Sequence, residues 1–196
     1  KSKADLVTEA DTTIETYLLG KVQSNFPGHS VNAEETGLHE GDKDHEWFID
    51  PIDGTLNYAH GLPQYAISVA YASQGELKLG VIANPPMQEI FSAEVGKGAY
   101  LNGKRIQVSE TRELIDSMLI TGFRYHLLDT PRSNVNNFIR LSHEVQAVRR
   151  LGSAALDMAY VACGRVEGFW EIDLNPWDVA AGILLIREAG GEVSTL

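Results

Sequence analysis

Hydrophobic and polar positions in this chain follow two periods. Between Thr8 and about Ser24, Ile14, Tyr17, Leu18 and Val22 recur at the spacing of one helix face. Thr8-Glu9-Ala10-Asp11 resembles a capping box with Asp11 in the acidic place, and Pro27-Gly28 closes the helix. Ser30-Val31-Asn32 reads as a short strand edge, polar Gly37 to Glu46 as a mobile loop, and Trp47-Phe48-Ile49 as a strand-like run. The period then becomes two. Ala66 to Ala72, Leu77 to Ala83 and Gln88 to Val95 read as strands, and Ala99–Leu101 meets Arg105–Val108 across Asn102-Gly103, a hairpin dipeptide. An antiparallel meander is predicted.

The second half alternates. Ser117 to Gly122, Val148 to Leu151 and Gly168 to Ile172 read as strands; Ser133 to Val145, the run from Gly152-Ser153 to Gly164, and Pro176 to Glu188 read as helices. Asn175 caps the last helix and Gly190 ends it. A boundary near residues 115 to 120 divides the chain into an α+β part, 1–117, and an α/β part, 118–196.

Composition narrows the function. The chain has 196 residues, 43% of them hydrophobic, and a formal net charge of -11, with no basic cluster beyond Arg149-Arg150. A nucleic-acid partner is disfavoured on electrostatic grounds. An anionic substrate is compatible with this charge only if bound cations cancel carboxylates locally. With Cys163 as its one cysteine the chain forms no internal disulfide, which fits a reducing, cytoplasmic setting; no apolar run is long enough for a membrane span. Neither a dinucleotide fingerprint at Gly96-x-Gly98 nor a P-loop is present. The chain opens without Met, so a fragment is expected.

The candidate chemistry centres on Trp47 to Asn57. After the apolar run come Asp50, Pro51, Ile52, Asp53, Gly54 and Thr55. Proline has no N–H to continue a ladder, so a turn is expected there. Two carboxylates and the Ile52 carbonyl form the oxygen-rich donor set that Mg²⁺ prefers, and a helix starting near Gly54 or Thr55 would offer N–H groups to a phosphate. Plainer readings stand beside this one: Asp-Gly-Thr is common turn chemistry, Asp11 caps a helix, Glu34-Glu35 is a solvated pair, and Asp178 offsets a helix dipole.

Asp-Pro-Ile-Asp-Gly-Thr, the upstream Ala33-Glu34-Glu35 and the downstream Trp177-Asp178-Val179-Ala180-Ala181-Gly182 together resemble the inositol monophosphatase family, as do Ala4-Asp5-Leu6-Val7-Thr8 and Gly152-Ser153-Ala154-Ala155. The resemblance implies a layered αβαβα sandwich of the α/β class, with an antiparallel-rich first part packed on a second part with its own sheet. It implies Mg²⁺, two to three ions, on Glu34, Asp50, the Ile52 carbonyl, Asp53 and Asp178. It implies phosphate held at Gly54 and Thr55, and an alcohol pocket at Gly152, Ser153, Ala154 and Glu171, with Asp53 and Asp178 near the ester oxygen. Thr55, oriented by Asp11, and the Glu34–Asp50 pair would activate water. Lithium sensitivity, a homodimer, and further segments before and after this chain are implied on the same grounds.

The expected substrate is a small phosphorylated alcohol, foremost an inositol monophosphate. Nucleotide 3′-phosphates, fructose 1,6-bisphosphate and histidinol phosphate are alternatives with the same mechanism. A phosphatase with an Asp nucleophile would place its acids as Asp-x-Asp on one side of a strand, unlike Asp50 and Asp53. A non-catalytic regulatory binding protein of the same fold is the reading from another class.

Overall fold

The computed structural model describes residues 7–124, 130 and 133–194. Ala4-Asp5-Leu6 of the resembling motif lies outside them. The first helix, α1, spans Glu9–Asn25, and its capping box forms as expected: the Thr8 side chain accepts from the Ala10 and Asp11 N–H groups, and Asp11 accepts from the Thr8 N–H at 2.8 Å. Its buried stripe differs from the one predicted. Asp11, Glu15, Leu19 and Val22 point inward, whereas Tyr17 is 63% exposed. Residues four apart share a helix face, and here the first half of that face is acidic because it meets polar partners rather than core.

Eight strands form the first sheet: β1 (His29–Ala33), β2 (Gly37–His39), β3 (Asp42–Asp53), β4 (Ala66–Ser73), β5 (Glu76–Asn84), β6 (Glu89–Glu94), β7 (Gly98–Leu101) and β8 (Lys104–Ile106). Their order is β2-β1-β3-β4-β5-β6-β7-β8, and every neighbouring pair is antiparallel except β1 with β3. The segment expected as a loop, Gly37 to Glu46, is instead β2 and the start of β3. Val31 pairs with His39 across β1 and β2, and the Asp42 N–H donates to the Gly28 carbonyl at 2.7 Å. Backbone bonding holds these residues, so they show no hydrophobic alternation.

Pro51 does not turn the chain. β3 continues through it to Asp53, while Asp50 stands opposite Ser68 and Asp53 opposite Ala66, so three steps on β3 match two on β4. This is a β-bulge, with proline where a ladder donor is dispensable. The turn follows at Gly54, which caps the short helix α2 (Thr55–Ala59) with φ 93°.

The second sheet is parallel, in the order β10-β9-β11, from β9 (Met118–Thr121), β10 (Ala147–Arg149) and β11 (Gly168–Trp170). Helices α3 (Val135–Ser142), α4 (Ala154–Ala162) and α5 (Pro176–Glu188) alternate with these strands. Parallel strands need such crossovers. α1 packs on β1 and β3 through Leu19, Val22, Val31, Ala33 and Ile49, whereas Phe48, the next residue of β3, faces the opposite core. In that core Ile82 and Phe91 of the first sheet meet Leu156, Leu185 and Ile120. The layers therefore run α1, eight-stranded sheet, α4 with α5, three-stranded sheet, α3: the αβαβα sandwich of the α/β class that was expected. Among the described residues no helix is long and apolar enough to cross a membrane.

Two contacts aim α5. Glu188 near its end accepts from the Gly96 and Gly98 N–H groups at 2.8 and 2.7 Å, and the Ser68 hydroxyl donates to the Trp177 carbonyl at its start at 3.4 Å. Because Ser68 stands opposite Asp50, these bonds bring the head of α5 to the bulge.

Candidate active site

The bulge carries Asp50 and Asp53. Asp50 is 2% exposed, Ile52 is likewise buried, and the Ile52 carbonyl accepts from the Thr55 hydroxyl at 2.9 Å. The same hydroxyl lies 3.3 Å from Asp11 Oδ1, while Asp11 Oδ2 takes the Thr8 N–H and hydroxyl. Asp11 is thus both the helix cap and a partner of Thr55. Gly54 permits only hydrogen at its α-carbon: besides its positive φ, a Cβ there would stand 2.9 Å from the Gln64 carbonyl oxygen and 3.1 Å from that of Gly152.

Glu34 leaves the end of β1 with its N–H donated to the Ile49 carbonyl at 3.1 Å. Its carboxyl lies beside that of Asp50, and among the described residues Glu34 Oε2 and Asp50 Oδ1 are buried without a hydrogen-bond partner. Burial, opposed by the closeness of Asp50 and reinforced by Asp178, pushes the Glu34 carboxyl up to about 7. Burial and then the Asp53 charge raise Asp50 well above the ordinary carboxylate range.

Across the site, Asp53 Oδ2 accepts from the Ser153 hydroxyl at 2.7 Å and the Ala155 N–H at 2.6 Å. Even so, burial and Asp178 push it up to about 7. Asp178 sits in the first turn of α5, where Oδ2 accepts from the Asn175 N–H at 2.8 Å; burial raises it, and the Asn175 and Arg124 contacts oppose that rise. Glu171 is pushed up to about 7 by burial and by Asp53, and it lies against bare backbone, since a Cβ on Gly122 would overlap its carboxylate.

The expected site residues therefore come from both sheets to one place. Electrostatic coupling links Glu34, Asp50, Asp53 and Asp178, and Glu171 couples to Asp53 and Asp178. Ser153 differs in use from the expected pocket residue: its hydroxyl is committed to Asp53, leaving only its backbone for a ligand. Among the described residues no three His, Cys, Asp or Glu side chains are gathered as a metal cage. The fit to a hard divalent cation rests on an all-oxygen donor set and on two buried, partnerless carboxylate oxygens.

Four residues escaped the sequence reading. Glu15 is 1% exposed and accepts from the Glu35 and Thr36 N–H groups at 2.9 and 2.8 Å, which fixes the turn bearing Glu34. Its spacing of four from Asp11 on one helix face was the available signal. The Asn57 amide donates to the Gln64 and Leu151 carbonyls at 2.7 and 2.8 Å, tying α2 to the Gly152 turn. Asp157 on α4 is buried, and burial together with Asp53 pushes it up to about 9. Arg124 approaches Asp178. Those last three depend on tertiary neighbours that spacing does not reveal.

The sequence model described as the inositol monophosphatase family matches residues 1–196. An inositol-1-monophosphatase of Mesorhizobium japonicum is 45% identical over 201 residues, covering 100% of this chain and 74% of that protein. A Nus factor SuhB of Salmonella typhimurium is 44% identical over 195 residues, covering 99% of this chain and 73% of that protein. The solved structure of an inositol monophosphatase from Anabaena superposes with a TM-score of 0.91 at 48% identity, covering 95% of this chain and 74% of that one.

Proposed function

The chain belongs to the inositol monophosphatase family, and from that footing we propose that it is a Mg²⁺-dependent phosphatase hydrolysing the phosphate ester of a small alcohol, foremost an inositol monophosphate. One observation carries the reading: four carboxylates gather here, Asp50 and Asp178 buried and Glu34 and Asp53 half-buried, and among the described residues Glu34 Oε2 and Asp50 Oδ1 are buried without a hydrogen-bond partner. Such crowding is costly unless cations neutralise it.

Glu34, Asp50, the Ile52 carbonyl, Asp53 and Asp178 would hold those ions. When bound, Mg²⁺ neutralises phosphate charge, lowers the pKa of water and stabilises a leaving alkoxide. The chain's own groups do the remainder. Thr55 donates its hydroxyl toward the Asp11 carboxylate, so that as its oxygen takes a proton from the attacking water its own proton passes to Asp11. The N–H groups of Gly54 and Thr55, in a first turn with no intrahelical partner, hold the phosphate. Gly152, the Ser153 backbone, Ala154 and Glu171 line the alcohol side. Asp53, braced by Ser153 and Ala155, and Asp178, braced by Asn175, stand by the ester oxygen. No covalent intermediate is required.

Because the site draws residues from 1–117 and 118–196, both parts act as one catalytic unit. A homodimer, inhibition by lithium and a cytoplasmic setting belong to the same reading. A second, regulatory binding role is favoured by one finding, the Nus factor SuhB relative.

The test is Mg²⁺-dependent phosphate release from inositol monophosphates, nucleotide 3′-phosphates, fructose 1,6-bisphosphate and histidinol phosphate, with Asp53→Asn as control. Selective turnover of inositol monophosphates, lost in the control, supports the reading. Turnover of another ester replaces the substrate. No metal-dependent turnover of any moves the binding role to the front.

A further inference from the structure

Of the residues that would hold ions, Glu34 alone stands on a hairpin tip. β1 ends at Ala33 and β2 begins at Gly37, and these two pair in the antiparallel ladder, so Glu34, Glu35 and Thr36 form a three-residue loop that Gly37 closes with φ 75°. Tips of this kind are ordinarily the mobile parts of a sheet. Nor does the carboxyl anchor itself at Oε2, which is buried and among the described residues has no hydrogen-bond partner. The direction of the side chain therefore depends on the backbone beneath it.

That backbone is held at three consecutive N–H groups. Glu34 donates to the Ile49 carbonyl of β3 at 3.1 Å, and Glu35 and Thr36 donate to the two oxygens of the buried Glu15, Oε2 at 2.9 Å and Oε1 at 2.8 Å. One N–H on each oxygen is a pattern that needs a carboxylate, because an amide offers a single acceptor atom. Four residues earlier on the same face of α1, Asp11 accepts from the Thr55 hydroxyl at 3.3 Å. Adjacent turns of one helix thus hold the Thr55 hydroxyl and the turn that bears Glu34, with about 6 Å of axial rise between Asp11 and Glu15.

We propose that Glu15 is a positioning residue for ion binding: by clamping the Glu35 and Thr36 N–H groups it presents the Glu34 carboxylate to the ion, and through α1 it keeps that carboxylate in register with Thr55. The inference rests on the metal-dependent reading above. With both oxygens committed to the turn, Glu15 acts through Glu34 and not on the ion itself. Loss of the clamp frees the hairpin tip, so an ion binding there must first order the loop, and that ordering cost appears as weaker affinity. Chemistry with the ion in place changes little, because Asp50, Asp11 and Thr55 keep their own contacts. The signature is a split, in which more Mg²⁺ is needed for half-maximal turnover while turnover at saturating Mg²⁺ is kept.

The test combines hydrogen exchange of the Glu35 and Thr36 amides in the chelated whole chain with Mn²⁺ binding, followed by electron paramagnetic resonance, and with Mg²⁺-dependent turnover, for wild type, Glu15→Gln and Glu15→Asp. Glutamine keeps the length and loses one acceptor; aspartate keeps the charge and falls one methylene short. Glu167→Gln is the control, since Glu167 makes the same kind of bond, to the Met118 N–H at 2.7 Å, on the second sheet. Both amides are protected in wild type. In the Glu15 variants they exchange about tenfold faster, Mn²⁺ affinity falls roughly tenfold, and turnover at saturating Mg²⁺ stays within about twofold. Glu167→Gln leaves Mn²⁺ affinity unchanged, whatever it does to the melting temperature. Unprotected Glu35 and Thr36 amides in wild type, a measurement that needs no variant to fold, overturn the inference and leave the metal reading intact. So does Mn²⁺ affinity that is unchanged in both Glu15 variants or is lowered equally by Glu167→Gln. Absence of Mn²⁺ binding in every form overturns the metal reading and this inference with it.

Discussion

Glu34 and Asp50, which reach the site from β1 and β3, lie beside each other, and among the described residues Glu34 Oε2 and Asp50 Oδ1 are buried without a hydrogen-bond partner. Asp53 and Asp178, facing the second half of the chain, are treated differently. Asp53 receives a hydroxyl and a backbone N–H, and Asp178 receives a backbone N–H and the Arg124 guanidinium. A carboxylate given donors is held in one orientation. On the proposed reading the same residue type would hold ions on both sides of the site, oriented by protein donors on one side and left open to the cation on the other.

The largest effect expected from this contrast is that of Asp50→Asn. Its removal of charge lowers metal-dependent turnover by on the order of 10³-fold, while the melting temperature of chelator-treated protein rises because a buried, desolvated acid is gone. Turnover and calorimetry on one preparation check both movements, and a fall in metal-free stability would erase the distinction between the two sides. Ser153→Ala strikes the aligned side. Asp53 keeps the Ala155 N–H but loses its hydroxyl donor, so turnover drops about tenfold, with the metal-free melting temperature lowered rather than raised. The smallest effect belongs to Asp157→Asn. With that carboxyl pushed up to about 9 it is protonated at neutral pH, and the amide replaces it in nearly the same shape. Turnover then stays within about twofold, and a pH–rate profile shows whether the acid was ionised.

These contrasts also mark what was legible in the sequence. The hairpin at Asn102-Gly103, the helix opened by Asn175-Pro176 and the capping box at Thr8 follow local rules, and each formed within a few residues of its expected span. The acids of the central motif were legible because their spacing and their companions at Glu34 and Asp178 are sequence features. β2 and the start of β3 were not, because polar strands held by backbone bonds carry no hydrophobic alternation to read. Pro51 misled for a related reason: it halts a ladder locally, but a bulge against β4 absorbs it. Which oxygens lack partners, and that Ser153 turns to Asp53 rather than to a ligand, depend on packing between the two sheets.

The most direct measurement is the unfolding midpoint of the whole chain near pH 5 and near pH 8, after chelation and again with saturating Mg²⁺. Glu34 and Asp53, pushed up to about 7 from 4.5 and 3.8, hold more protons folded than unfolded between those values. The stability they contribute is therefore fully present at low pH and lost as the pH rises through about 7. The chelated protein is expected to melt several degrees lower near pH 8 than near pH 5, and Mg²⁺ to restore the midpoint near pH 8 while changing little near pH 5. A chelated protein as stable near pH 8 as near pH 5, or one that Mg²⁺ fails to stabilise there, would contradict a site built of carboxylates that await cations.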